Sequence, residues 1–320
     1  MEFNATSPSL VDTGLLEGTI YTYKVKAFRG GNTNDASGWS GAKMATTFPS
    51  AVAGVTAVAQ EIDKILLSWT NVSAKADHFI VHDHPTSGGA DTDSAPAPTV
   101  SGPQSVQESV APGSAHQYSL FATVSGFQNV DPLSTPAPAP AVVRSAASPV
   151  VSIKPLVFKA ALTTNQPGFE GFTIVQRIKT TSLSNSGGNV KITVQGSTAG
   201  NLVIDKVSIS QAATGAAADP WDSAPDLVQV AASVTLAANI PQVLGPVAYN
   251  LDRTKDLLIA FDIKPAAGSG RVRKASLPGV GVEAYTMAAD PPEALLQDRT
   301  DGGYNTEPET LYLIEKIEVT

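Results

Sequence analysis

Apolar and polar residues alternate with a period of two along much of this chain, and no stretch is long and amphipathic at the helical period. In the run 172–179, Phe172, Ile174, Gln176 and Ile178 fall on one side, with Thr173, Val175, Arg177 and Lys179 on the other. Val190, Ile192 and Val194 alternate with Lys191, Thr193 and Gln195. Leu257, Ile259, Phe261 and Ile263 repeat the arrangement around Asp262. The same reading predicts strands over 19–28, 38–47, 65–69, 78–84, 117–122, 203–209, 228–236, 243–250, 271–277, 280–287 and 311–319. Between them lie a Gly30-Gly31-Asn32 turn, a Gly/Ala/Asp/Pro-rich loop over 86–102, and an extended Pro/Ala spacer over 136–140. The expected fold class is all-β.

Composition agrees. The 26 Gly and 23 Pro among 320 residues suit many short strands joined by punctuated loops, and 42% hydrophobic content is enough for real cores. A formal charge of −8 and the lack of a basic stripe argue against a nucleic-acid partner; the densest basic run is Arg271, Arg273 and Lys274. Zero cysteine removes disulfides, thiolate catalysis and cysteine-ligated zinc together. Met1-Glu2-Phe3-Asn4 lacks the charged start and apolar run of a signal peptide, and no segment has the apolar length of a membrane span. The expectation is a chain that stays soluble in its cell of synthesis, leaves without a signal, or is a fragment.

Leu15, Gly18, Thr19, Tyr21, Tyr23, Val25 and Ala27 spell L-x-x-G-T-x-Y-x-Y-x-V-x-A, the sequence form of a tyrosine corner. With a final strand entered through Trp39-Ser40, residues 1–48 resemble the last strands of a fibronectin type III domain. The resemblance implies earlier strands that are not found before Met1, so we expect a module that is truncated or completed by a neighbouring polypeptide. Residues 49–147 resemble a whole module of the same family: Val55, Ala57 and Ile65-Leu66-Leu67-Ser68-Trp69 open it, with Trp69 at the core tryptophan position. Tyr118, following Pro112-Gly113, is expected to be its second corner anchor. Residues 148–320 have the strand number of a larger, jelly-roll-like sandwich. Within it, residues 189–264 resemble an accessory β-sandwich of bacteriophage tail proteins and of some bacterial carbohydrate esterases, through Val203-Ile204-Asp205-Lys206-Val207 and Asp256-Leu257-Leu258-Ile259-Ala260-Phe261.

Three candidate sites follow from residue type. His78, His82 and His84 share one face of a strand, and His82 with His84 project in parallel as transition-metal ligands would. Asp298 and Asp301, in a polar loop before Gly302-Gly303, offer hard oxygen ligands for calcium. Trp221, flanked by Asp219 and Asp222, with Tyr285 and Tyr304, offers the aromatic platform a sugar needs. The third region has no histidine, which removes a Ser-His-Asp or Cys-His centre from it. We therefore expect no enzyme and no cofactor. The resemblances imply a bacteriophage virion component, assembled in the host cytoplasm, whose partners are other virion proteins, copies of itself or a host-surface glycan. The alternative is the carbohydrate-binding and spacer portion of a secreted polysaccharide-degrading enzyme.

Overall fold

The computed structural model describes residues 9–29, 36–86, 88–94, 102–128, 132, 139–154, 156–215, 218–268 and 270–319. Among them every regular element is a strand except one short 3-10 turn at Thr180–Ser182. No helix is long and apolar enough to cross a membrane. The chain divides into two compact units, one holding most of the residues up to Ser152 and the other built on Ile153–Thr320.

The first unit begins with β1 (Ile20–Tyr23) and β2 (Lys43–Thr46), a two-stranded antiparallel sheet with Tyr21 opposite Ala45. The middle module follows: β3 (Ala53–Glu61), β4 (Lys64–Asn71), β5 (His78–Pro85), β6 (Thr92–Ser94), β7 (Gly102–Ser109), β8 (His116–Gly126), β9 (Ala141–Arg144) and β10 (Val151–Ile153). One layer is β3-β4-β7; the other is β10-β8-β5-β6, with β9 also on β8. That division is a fibronectin type III-like sandwich. Trp69 on β4 meets Phe79 on β5 edge-on at 5.1 Å, and Ile65, Leu67, Val81 and Leu120 fill the core around them. Part of the region expected to be loop is ordered sheet, since β6 pairs with β5. The module also extends past the expected boundary at 147, because β10 joins the sheet of β8. The Gly30-Gly31-Asn32 turn and residues 136–138 of the spacer lie outside the described residues.

The corner motif has its expected geometry in the first module, where the Leu16 N–H donates to the Tyr21 hydroxyl at 3.0 Å. In the second it does not. Tyr118 is fully buried, yet its hydroxyl has no partner among the described residues. Tyr21 stands three residues after Gly18; His116 holds that place after Gly113, and its Nδ1 pairs with Asp83 at 2.8 Å. Tyr118 thus corresponds to Tyr23, an apolar core position, and the corner position is a histidine.

Both modules share a second device. Ser145 and Ser148 donate their N–H groups to the carbonyls of Ala122 and Leu120, and their hydroxyls accept the N–H groups of the same two residues at 3.0 and 2.9 Å. Each hydroxyl then donates to the carbonyl of the residue after it. Ser37 and Ser40 do the same with Ala27 and Val25. Serine oxygens stand in for ladder carbonyls where the last strand turns away, so the backbone donors stay satisfied.

The second unit contains β11 (Phe158–Lys159), β12 (Thr164–Gln166), β13 (Phe172–Ile178), β14 (Val190–Gln195), β15 (Leu202–Gln211), β16 (Val228–Leu236), β17 (Pro241–Val247), β18 (Leu257–Gly268), β19 (Val272–Ser276), β20 (Val282–Ala288), β21 (Asn305–Pro308), β22 (Thr310–Tyr312) and β23 (Ile314–Glu318). A six-stranded sheet, β16-β15-β18-β13-β20-β21, packs against a layer made of β11-β23-β14-β17 and β12-β19-β22. Neighbours distant in sequence lie side by side, as in a jelly roll. Ile174, Ile178, Ile209, Ile259, Phe261 and Ile192 are fully buried between the layers. Gln176, a polar residue in this core, is satisfied: it donates to the carbonyls of Glu283 and Thr310 and accepts the Tyr312 N–H. The run 311–319 forms two strands rather than one, broken at Leu313, where φ is +61°.

Ser148→Ala removes a buried acceptor and strands the Leu120 N–H, so we expect a loss of about 1–3 kcal/mol in urea denaturation. Ser37→Ala, at an exposed position where water replaces the hydroxyl, is expected to cost less than about 0.5 kcal/mol.

Candidate functional site

The most site-like region lies on the outer face of the six-stranded sheet. Val175 (β13), Leu258 and Ala260 (β18) and Tyr285 (β20) make that face apolar. Two loops, the described residues 212–215 and 218–227 after β15 and 289–304 after β20, lie over it. Trp221 from the first loop meets Tyr304 from the second at 5.1 Å and Tyr285 on the sheet at 5.5 Å. The structure therefore brings the three expected sugar-binding aromatics together. It also buries them: Trp221 and Tyr304 are 7% exposed and Tyr285 is 2%. A sugar needs an open ring face, and these rings cover one another. They form a second small core beneath the loops.

A buried arginine holds the loops down. Arg299 donates from Nε to the Glu293 carbonyl (3.1 Å), from Nη1 to the Trp221 carbonyl and Ser223 Oγ, and from Nη2 to the Ala294 carbonyl. Its backbone N–H goes to Asp222 Oδ1 (3.0 Å). Glu293 accepts the N–H and hydroxyl of Thr300 and the Tyr304 hydroxyl. Asp262 on β18 accepts the Thr173 hydroxyl at 2.6 Å and the Ala294 N–H at 3.0 Å. Burial pushes the Asp262 carboxyl up, against those two hydrogen bonds. Burial lowers the Arg299 guanidinium, while Tyr304, Asp222 and Glu293 oppose that shift. Burial raises the Tyr304 phenol, and the Glu293 charge adds to it. These charged groups clamp loops to a sheet, and their hydrogen-bonding atoms face protein partners.

Asp298 and Asp301, the expected calcium ligands, are exposed on the same loop. They stand near Asp219, whose carboxyl is raised by desolvation first and then by the charges of Asp222, Asp301 and Asp298. Among the described residues no group of three or more histidines and carboxylates is placed to hold a metal ion.

That statement also covers His82 and His84. All four histidines of the chain are paired with aspartates of the middle module. His82 Nδ1 meets Asp93 at 2.8 Å and His84 Nδ1 meets Asp91 at 2.6 Å. Asp93 also takes Arg144 Nη2 at 2.9 Å, and that guanidinium lies 5.7 Å over the Phe121 ring. The carboxylates come from β6 and the residue before it, a stretch read as loop, so the sequence offered no sign of the pairing. These Nδ1 contacts clip a short edge strand to β5.

The remaining feature is an open face. In the middle module Tyr118 and Leu120 of β8 are 0% exposed beneath the β3-β4-β7 layer. Their equivalents in the first module, Tyr23 and Val25, are 36% and 70% exposed. Leu10, Val11, Leu16 and Trp39 of the same module are exposed as well. Lys26 lies 4.5 Å over the Trp39 ring and 5.0 Å over Phe28.

No family model matches this chain, and no curated protein matches it. Among solved structures it is similar to the FN1–FN3 domains of chicken CNTN1, at 11% identity and a TM-score of 0.25, with 92% of this chain and 77% of that chain covered. The sandwich class itself rests on the sheet orders given above.

Trp221→Ala is expected to destabilise the second unit by about 3–5 kcal/mol, as removal of a buried aromatic does, read by thermal or urea unfolding. An unchanged unfolding midpoint would contradict a core role for the ring. In the middle module, the His82 and Arg144 contacts hold Asp93 below its ordinary carboxylate value of 3.8. A depressed folded value stabilises above the unfolded one and loses that contribution as pH falls through the folded one. Asp93→Asn should therefore flatten the decline in stability below about pH 4, measured as the urea midpoint against pH.

Proposed function

We propose that the protein is a non-enzymatic structural or adhesive component of a bacteriophage particle, a tail, fibre, baseplate or decoration protein, that assembles through its β-sandwich modules. One observation carries the reading. Eight of the eighteen exposed large apolar side chains among the described residues lie in the short first module, and two of them, Tyr23 and Val25, stand where the middle module has core residues. A contiguous exposed apolar patch marks a contact surface. The partners are copies of the same chain or other particle proteins, in a virion assembled in the host cytoplasm. The polar clusters support the same reading, since the histidines, the buried arginine and its carboxylates hold strands and loops.

The alternative, a glycan-binding and spacer portion of a secreted polysaccharide-degrading enzyme, depended on Trp221, Tyr285 and Tyr304 as an open platform. Their burial removes its main support.

Solution mass by light scattering is expected to exceed the 33.0 kDa of one chain and to rise with concentration. Val25→Asp should return it toward one chain. Antibody against the protein should decorate one appendage of purified phage particles. A wild-type protein that stays monomeric at about 100 μM, far above the micromolar range of weak specific contacts, together with unlabelled particles, would overturn the proposal.

A further inference from the structure

Glu17 stands in the corner loop of the first module and reaches into the second. Its Oε2 accepts the Ser50 N–H at 2.7 Å and its Oε1 accepts the Ala74 N–H at 2.7 Å. Ser50 belongs to the segment joining the modules, and Ala74 to the loop between β4 and β5. One carboxylate thus ties three stretches of chain together through two backbone donors. Both are charge-assisted bonds at the short end of the normal range.

Two neighbouring contacts make the joint close-fitting. Gly18, at φ +53°, turns so tightly against the β4–β5 loop that a Cβ there would stand 2.6 Å from Lys75 Cβ. On the strand paired with the start of β1, the Thr46 N–H donates to the Phe127 carbonyl at 2.7 Å, and the Thr46 hydroxyl accepts the Phe127 N–H at 2.8 Å. The Tyr21 hydroxyl holds the same loop in shape from within, through Leu16. The corner therefore has two sides: one fixes the first module, and the other meets the second.

We propose that Glu17 is an acid-released latch that sets the angle between the first and middle modules. With the carboxylate ionised, both backbone donors are satisfied and the two modules move as one stiff arm. Protonation removes the charge and occupies an oxygen lone pair, so one tie is lost and the other weakens. The facing loop presents the Ser73 hydroxyl and carries Lys75 and Asp77, the latter taken up by the Ser125 N–H and His78, and the linker side presents the Ser50 hydroxyl and backbone. The hydrogen bonds from Ser50 hold the Glu17 carboxyl below its ordinary value of 4.5, against the opposing effect of burial. The latch is therefore closed above that value and opens as pH falls below it. It is independent of what covers the open apolar face.

The lack of cysteine allows clean labelling of the full chain. Spin labels at Thr22→Cys on β1 and Gln107→Cys on β7 report the distance between modules by pulsed electron resonance. At pH 7 one narrow distance is expected, broadening reversibly between about pH 4.5 and pH 3. Glu17→Gln, of the same shape without the charge, should be broad at pH 7 and unchanged by acid. In the same variant, amide exchange at Ser50 and Ala74 should be roughly tenfold faster at pH 7, the effect of losing one such bond. A Glu17→Gln protein as narrow as wild type at pH 7 would overturn the latch. So would a wild-type distance that stays narrow at pH 3, or acid broadening that Glu17→Gln shows to the same extent.

Discussion

A pleated sheet with an apolar face must have that face covered, and the molecule is organised by how each sheet meets this demand. In the middle module two layers cover each other, with Trp69 and Phe79 in contact between them. In the second unit the six-stranded sheet is apolar on both sides. Its inner face meets another sheet, while its outer face is closed by two loops whose aromatic rings pack on it and whose backbone a buried arginine ties together. In the first module Tyr23 and Val25 occupy core positions without a second layer over them. The same residue types at the same strand positions are core in one module and surface in the other, and only the facing layer differs.

Carboxylates recur as anchors for backbone donors. Glu17, Asp222, Asp226, Asp262 and Glu293 each accept a main-chain N–H from a loop or strand end. A chain with 29 acids and no cysteine has no disulfide cross-links, and its described residues form no long helix to hold its loops. Acidic side chains take that role, because an ionised carboxylate makes stronger hydrogen bonds to amides than a neutral oxygen does. The negative charge is thus partly structural. The acids that remain exposed near one another, such as Asp298 and Asp301, fall outside this pattern.

Period-two patterning made most strands legible, and the bounds of Val190–Gln195 and Val228–Leu236 coincide with those read from the sequence. Strands with little apolar content were not legible. β6 is Thr-Asp-Ser, and β7 has Val106 as its one large apolar residue. The aromatic loop residues were legible as a group, but residue type does not say whether a tryptophan turns outward or inward. Trp221 turns inward because the sheet beneath it is apolar on that side too, a fact carried by Val175, Leu258 and Tyr285 far away in sequence. The histidine pairs escaped because their partners lie across a strand junction. The corner histidine was hidden by a nearby tyrosine that resembled the motif more closely than the residue at the correct spacing.

The paired serines of the two terminal strands have a consequence for how these modules can vary. A strand fastened by hydroxyls at two points three residues apart needs little from the residues between them. Those residues are Ala146 and Ala147 in one module and Gly38 and Trp39 in the other, and all four lie at the surface. The rim they form can change in character, from bare alanines to an indole capped by a lysine, while the seam beneath it keeps its stitching.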